Sequence, residues 1–568
     1  MKLFKEKKKE SASLPSPKSK PLINDEAAQE SADTFHVKPL NFSIKPTFKK
    51  IFGNMGLGEH PDEHKKKTDD RLVHFRRVSA AGVHESKRST TLLQQLVRDF
   101  RNSLQSLGAE DVAESDLETW AILIFESMSA SSRVFHSVHH VFDVSEGMSD
   151  PVPVLAAFFH DVIYYSIDGG LTPKQFNILS GIIQEDPGGV VRLRERFVLP
   201  GAQSRRHSGD HKSSMRDAQD QTDSLIDMIA CIFDFKPGQV LNPFKGLNEF
   251  LSAACAVRCL RHYLPLKNLA AIAACIEATI PFRKPDEDGN TPPQLLYKQL
   301  KLANEKFEME MTEVDVAMAV QDSCEIANRD LRNFAQASCA SFLSNTWNLM
   351  HESNIDLRHT TVYSISYFAV ALKKMCGFFQ FLDATTLYAS FKGVPSQRDV
   401  DLLTKKAQDN IDIACRYLQA KLLSISVLSA LAELTGGDAP IALFLGDLPE
   451  KNHPVSPGIE DFIQPAKLCA NVVVNDKVYR ILEHGREGGD TKFDLQNSPL
   501  AAYLYGMLGE AGMDKCLEYA VCPMTPEDAK KLLDSLPREA VVYIAKPCAI
   551  LAESRKAGLK AIIEEYSD

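Results

Sequence analysis

VPVLAAFFHDVIYY, Val152–Tyr165, runs an apolar stretch straight into His160 and Asp161. A hydrophobic helix that ends on a histidine beside a carboxylate has to provide partners for both, because an unpaired buried carboxylate is costly. Upstream, RVFHSVHH at Arg133–His140 reads as helix, and His136, His140 and Asp143 fall at i, i+4 and i+7 on one face. Two such helices packed antiparallel would bring an imidazole from one to an imidazole and a carboxylate from the other around a divalent ion. Histidine nitrogen with carboxylate oxygen suits Mn, Co, Fe, Mg or Zn and does not choose among them. The chain holds 16 histidines, and any one alone is more often a satisfied residue than a ligand. It is the spacing that points to a metal.

These residues carry a resemblance. The H…HD arrangement resembles the HD superfamily of metal-dependent phosphohydrolases, whose helical core binds metal through a first histidine, an adjacent His-Asp pair and a later acid. FHSVHHVFDV at Phe135–Val144 is similar to the YHNxxHAxDV segment of cyclic nucleotide phosphodiesterase catalytic domains. Phe135, Ser137 and Val141 stand where that segment has tyrosine, asparagine and alanine. FFHDVIYY resembles the WFHDxVY string of smaller HD hydrolases. The resemblance implies metal ligation by His140, His160 and Asp161, a general-acid role for His136, and an Asp143 that orients a histidine. The late acid would come from QDSCEIANRDLRNF, 321–334, where Asn328 occupies the place of the family's aspartate. Asp330 is the favoured ligand, with Glu325 and Asp322 on the same helix as the other candidates.

Between the His-Asp pair and that helix lie GLNEFLSA, Gly246–Ala253, and CIEATIPFR, Cys275–Arg283. Each sets an acid in apolar helical context, so Glu249 and Glu277 are candidates for supporting or base roles, Glu277 as a catalytic group. Thr279 and Arg283 can bind a phosphate, Arg283 through its fork. The structural alternative is that Pro281 ends a core helix and Glu277 pairs locally. As a string, EATIPFR resembles a segment of long bacterial HD proteins.

At 568 residues and 44% hydrophobic content the chain is long enough for two to three domains with a sizeable core. A net charge of −10 argues against a general nucleic-acid binder, which would show a basic stripe. Its 12 cysteines include no CxxC pair and read as free thiols of a reducing compartment. No apolar run is long enough to span a bilayer, and MKLFKEKKKE lacks the hydrophobic stretch of a secretory signal, so a cytoplasmic protein is expected.

Residues 1–87 are rich in Lys, Ser, Pro and Asp and read as a flexible arm carrying RRVS, Arg76–Ser79, a kinase-site-like string. Residues 88–457 read as an all-helical HD-type catalytic domain, with a helix from Pro173 through Ile183 and another over Ser396–Thr435. A polar insertion at 201–223 interrupts it, and His207 and His211 there have no folded surround to make them ligands. TGGDAP, Thr435–Pro440, marks an edge or a mouth, with Asp438 and Asp447 nearby. Residues 458–568 read as a small α/β or α+β appendage. There CANVVVNDKVYRIL suggests a hairpin turning at Asn475-Asp476, and EAVVYIAKPCAILAE a strand then a helix. Gly-rich phosphate loops, G-x-S-x-G elbows and zinc-protease helix motifs are missing from the sequence.

The expected fold is therefore mainly α, and the expected function is hydrolysis of a phosphate ester, a nucleotide or related monoester or diester, by metal-activated water. Two alternatives stay open: an HD domain without catalysis that senses a ligand or binds a protein, and a di-iron HD-type oxygenase. Ser137 and Asn328 motivate the first. The second needs more ligands than the motif offers.

Overall fold

The structure, a computed structural model, describes residues 91–186, 189–200, 222–358, 363–446, 457–464, 472–488, 491 and 493–567. The expected N-terminal arm with its RRVS string, nearly all of the polar insertion with His207 and His211, and Asp447 lie outside these residues. Polar caps followed by proline start many of the helices. Asp150-Pro151, Thr172-Pro173, Thr291-Pro292 and Thr525-Pro526 each end one chain direction and open a helix whose first turn lacks a donor anyway. Helix accounts for 66% of the structure and strand for 3%, so the chain is mainly α as expected.

Helices of seven residues or more run α1 Leu92–Ser106, α2 Glu114–Met128, α3 Val138–Ser145, α4 Pro151–Phe159 and α5 Pro173–Leu179. A two-stranded antiparallel hairpin follows, β1 Ile183–Asp186 and β2 Val190–Leu193, with Ile183 opposite Leu193. The expected helix through Ile183 thus stops at Leu179, and Ile183 opens a strand instead. Then come α6 Ser224–Ile232, α7 Leu247–Leu260, α8 Leu266–Ala278, α9 Pro292–Phe307 and α10 Glu313–Asp330. The rest is α11 Cys339–Ser353, α12 Ile365–Phe381, α13 Gln397–Glu433, α14 Asp476–His484, α15 Pro499–Leu517, α16 Pro526–Asp534, α17 Arg538–Leu551 and α18 Lys556–Ser567.

Buried apolar side chains gather into two clusters, one running from Leu96 to Ile326 with Phe391 added, the other from Phe334 to Tyr566. At the centre of the first lies α4. It is apolar on every side and touches α1, α3, α7, α8 and α10, which is how a short helix without a polar face becomes stable. At the centre of the second lies α13, against which α11, α12, α14, α15 and α16 pack. The boundary expected at 457/458 runs through this second cluster.

The described part of the C-terminal stretch is helical, which corrects the α/β appendage. Asn475 is not a hairpin turn: its side chain accepts the N–H groups of Lys477 and Val478 and caps α14. EAVVYIAKPCAIL is helix throughout, burying Ala540, Val541, Ile544, Ala545 and Cys548 at helical spacing. Its β-branched run favoured a strand, and packing against neighbouring helices overrode that preference. Among the described residues no helix is long and apolar enough to cross a membrane.

Candidate metal centre

The His-Asp pair sits where α4 runs out. His160 is the cap residue of that helix, still helical in backbone, and its N–H bonds the Ala156 carbonyl at 2.9 Å. Its ring Nδ1 lies 2.8 Å from the Ala157 carbonyl. A carbonyl oxygen only accepts, so Nδ1 carries a hydrogen, and Nε2 is the nitrogen left for a metal that displaces its proton. The backbone that follows is held on several sides. Arg133, buried, donates to the Asp161 carbonyl at 2.5 Å and grips Asp168 with Nε at 3.0 Å and Nη2 at 2.5 Å. From α7, Ser252 accepts the Ile163 N–H at 3.1 Å and Asn248 the Tyr165 N–H at 3.0 Å.

Four side chains converge there. The ligand-capable atoms of His140, His160, Asp161 and Asp330 all lie within 4.8 Å of one another. His140 reaches in from α3 and Asp330 from the last residue of α10, with Nε2 and Oδ1 2.9 Å apart. His160 Nε2 lies 3.1 Å from Asp161 Oδ2 and 3.5 Å from Asp330 Oδ1. Yet His160 Nε2 and Asp161 Oδ2 are buried without a well-aligned hydrogen bond. Leaving such atoms unsatisfied costs about 1–3 kcal/mol each, more for a charge. Two carboxylates face two imidazoles, and neither a lysine nor an arginine belongs to the four.

The titration behaviour follows from that crowding. Burial raises Asp161, but the neighbouring His160 and His136 rings outweigh it and hold its carboxyl well below the usual range. Asp330 is likewise pushed up by burial and brought down to about 2 by bonds to His140 and His160. His160 is lowered by burial and raised well above its ordinary value by the Asp161 carboxylate. Carboxylates held ionised beside an imidazole that keeps its proton are the groups at which a divalent cation competes with that proton. The donor set, with the Nδ1 hydrogen of one imidazole already held by a backbone carbonyl, fits such an ion.

His136 lies next to the four. Its ring is 5.8 Å from that of His140 and 4.9 Å from that of Tyr164, edge to face. The expected helical spacing does not place it, because α3 begins at Val138 and His136 precedes the helix. Glu352, from α11, places it instead. That fully buried carboxylate takes His136 Nδ1 on one oxygen at 2.5 Å. On the other it accepts the backbone N–H groups of Val134, Phe135 and His136 at 2.9, 2.9 and 3.1 Å. Burial lowers His136, but Asp161 and Glu352 raise it above its ordinary value overall. Glu352 itself is raised by burial and brought below its usual range by His136 and those N–H groups.

A second buried carboxylate belongs to α8. Glu277 on α8 is buried and clasped by Arg283: Nη1 bonds Oε1, and Nη2 bonds Oε2 at 3.1 Å and the Glu277 carbonyl at 3.2 Å. Glu277 is therefore an anchor for Arg283, not the free acid or base that its context suggested. Glu249 on α7 is different. Burial, with Asp161 and Asp330 adding to it and Arg283 opposing, pushes its carboxyl up to about 8.

Compared with family models, with curated proteins and with solved structures, the chain matches none of them.

Of the residues singled out in the sequence, the structure thus brings His140, His160, Asp161 and Asp330 together, with His136 beside them. It does not bring the others. Asp143 is exposed on α3, and the carboxylate that holds a histidine, His136, is Glu352. Asn328 pairs both ways with the Ala389 backbone, at 2.8 and 2.9 Å, a structural tie. Glu325 bonds Arg329 at 3.0 Å. Asp322, half-buried, is pushed up to about 7 by burial and by Asp150 rather than by the cluster. Asp438 accepts the N–H groups of Ala439 and Ser366. Thr279 bonds the Ile276 carbonyl of its own helix end. The sequence reading missed Arg133, Asp168 and Glu352. Arg133 stands inside the motif; Glu352 is 216 residues from His136, and nothing in its own surroundings marks it.

Proposed function

We propose that this chain is a metal-dependent phosphohydrolase built on an HD-type helical core, cleaving a phosphate ester, with nucleotides as the leading substrate class. What carries the reading is the four-residue His/Asp cluster, two of whose buried ligand atoms lack an aligned hydrogen bond. A divalent ion bound by His140, His160, Asp161 and Asp330 would polarise a phosphoryl oxygen and lower the pKa of a water near neutral pH.

The chain's own residues supply the rest. Arg133 and the acceptors on α7 hold the His-Asp backbone rigid, as ligand geometry requires. When water attacks phosphorus and the ester P–O bond breaks, the leaving oxygen needs a proton. His136, lifted above its ordinary pKa, carries it into neutral pH, and Glu352 keeps the ring oriented.

The test is metal analysis of the purified full-length protein together with a panel of nucleotides and small phosphate esters in Mn, Co or Mg. Bound metal and phosphate release in the wild type, both lost in His160→Ala and Asp161→Ala, are expected. Hydrolysis undiminished in those variants overturns the assignment. Metal binding without phosphate release from any ester moves the weight to a ligand-sensing module, and oxygen consumption moves it to an oxygenase.

A further inference from the structure

Two aromatic rings border His136. The centroid of the Phe135 ring lies 4.8 Å from that of the His136 ring and 6.0 Å from that of the ligand His140, and the Tyr164 ring lies 4.9 Å from His136. Their planes stand at 79° and 73° to the His136 imidazole. Large aromatic side chains are ordinarily ordered by burial in a core. These two are not: both are partly exposed, and neither is among the side chains packed against either apolar cluster. Tyr165, one residue on, and Phe142 on α3 do pack against the first cluster. Phe135 and Tyr164 are nevertheless held in place through the backbone. The Phe135 N–H is bonded to Glu352 and its carbonyl accepts the Ser137 N–H, each at 2.9 Å. The Tyr164 carbonyl accepts the Ile167 and Asp168 N–H groups at 3.1 and 3.0 Å, and the Arg133 guanidinium lies 5.7 Å from the Tyr164 ring centroid.

Orienting His136 does not require the rings, because Glu352 already holds its Nδ1 and the backbone in front of it. What is left for them to touch is the molecule that His136 serves. A leaving oxygen protonated by His136 stands within hydrogen-bond reach of it, so the alcohol half of the ester begins beside both rings. A ring already fixed in place loses little freedom on binding, and it gains most from a second flat ring, offset-stacked or edge-on, at centroid separations of about 4.5–7 Å. We propose that Phe135 and Tyr164 bind an aromatic ring carried by the alcohol half of the substrate, so that the site selects phosphate esters bearing an aryl group or a nucleobase over saturated or polyol ones. The inference rests on the phosphoester reading above.

Two matched pairs of esters test it. Benzyl phosphate and cyclohexylmethyl phosphate differ in aromaticity at nearly equal size, and 5′-AMP and ribose 5-phosphate differ in the nucleobase. Binding is measured by calorimetry on the Mn-loaded full-length protein, and turnover alongside it. In at least one pair the wild type is expected to favour the aromatic ester by about fivefold, the factor carried by a ring pair of about 1 kcal/mol, and which pair shows it tells an aryl group from a nucleobase. Phe135→Leu combined with Tyr164→Leu removes both rings outside the cores, so the double variant should unfold near the wild-type temperature, keep its metal and lose the preference. Phe135→Tyr, which keeps a ring, should retain it. Equal affinity within both pairs in the wild type overturns the inference alone. So does a preference that survives the double variant while turnover of all four esters falls alike, since the rings would then only position His136. Failure of the metal-loaded wild type to bind any of the four esters overturns the phosphoester reading and this inference with it.

Discussion

Each of the two cores buries a cluster of charge, and the clusters are built on opposite plans. In the second core, Lys421 and Arg486 face Asp494 and Glu460, cations and anions in equal number. Lys421 Nζ lies 2.9 Å from Asp494 Oδ1 and donates to Ser498 at 3.0 Å. Trp347 Nε1 donates to Asp494 at 2.9 Å, the Arg486 guanidinium stacks 4.2 Å from the Trp347 ring, and Glu460 accepts from Ser498 and Leu500 at 3.1 and 2.6 Å. That network balances its charges, although Asp494 Oδ1 and Arg486 Nε have no aligned hydrogen bond, and it ties α13 to the 494–500 segment. In the first core, His140, His160, Asp161 and Asp330 set two carboxylates against imidazoles alone, without a lysine or arginine among the four. A charge cluster that balances itself is a staple. One that does not is open to something that will balance it.

The contrast can be broken at either end. The largest effect is expected in Lys421→Met, which leaves Asp494 and Glu460 buried with one cation fewer. Removing one partner of a buried pair costs about 3–5 kcal/mol, to be read as a lower urea midpoint, while metal bound per folded molecule stays as in the wild type. Asp330→Asn should weigh the other way: about a hundredfold weaker metal binding by titration, and a loss of stability in the metal-free protein smaller than that of Lys421→Met, since Asp330, held at about 2 by His140 and His160, does stabilise that state. A metal-free Asp330→Asn protein that unfolds much more easily would mean that the first cluster, too, is a staple.

Smaller effects test the supports. Glu352→Gln should keep the metal and lower turnover by about tenfold, in the range of losses seen when a ligand's or catalytic histidine's partner is removed. Since Glu352 raises His136, the alkaline limb of the pH profile should move to lower pH in that variant; an unmoved limb would show that His136 carries no proton in the reaction. The smallest effect is a slope. Glu249 has a folded pKa of about 8 against an ordinary 4.5, so the folded metal-free protein binds the proton more tightly and its stability falls as pH rises through that window. One proton sets a limit of about 1.4 kcal/mol per pH unit, and Glu249→Leu should flatten the curve in chemical unfolding.

The ligands were legible to different degrees. His160 and Asp161 stood out because an apolar helix ended on them, and His140 because of its spacing from that end. Asp330 was one of several acids on one helix, and only the direction of α10 separates it from Glu325 and Asp322. His136 was legible as a residue but not as a position, since the helix assumed to carry it begins two residues later, at Val138. The C-terminal strands were misread because a β-branched run looks alike in a strand and in a helix buried on one side. Asn475 was read as a turn when it was a cap, two roles that the same side-chain oxygen serves.

The sequence by itself determined what is local: helix starts marked by a polar cap and proline, that α4 is buried all round, and which histidines and acids lie near its end. Periodicity, caps and apolar runs act over a few residues, so they can be read in order. Only the tertiary structure decided which distant groups complete the site. Glu352 comes from the second core to hold His136, and Asp330 arrives from the end of α10. These contacts span up to 216 residues, and what selects them is the burial of charge, which leaves no trace in the neighbouring sequence of any one partner.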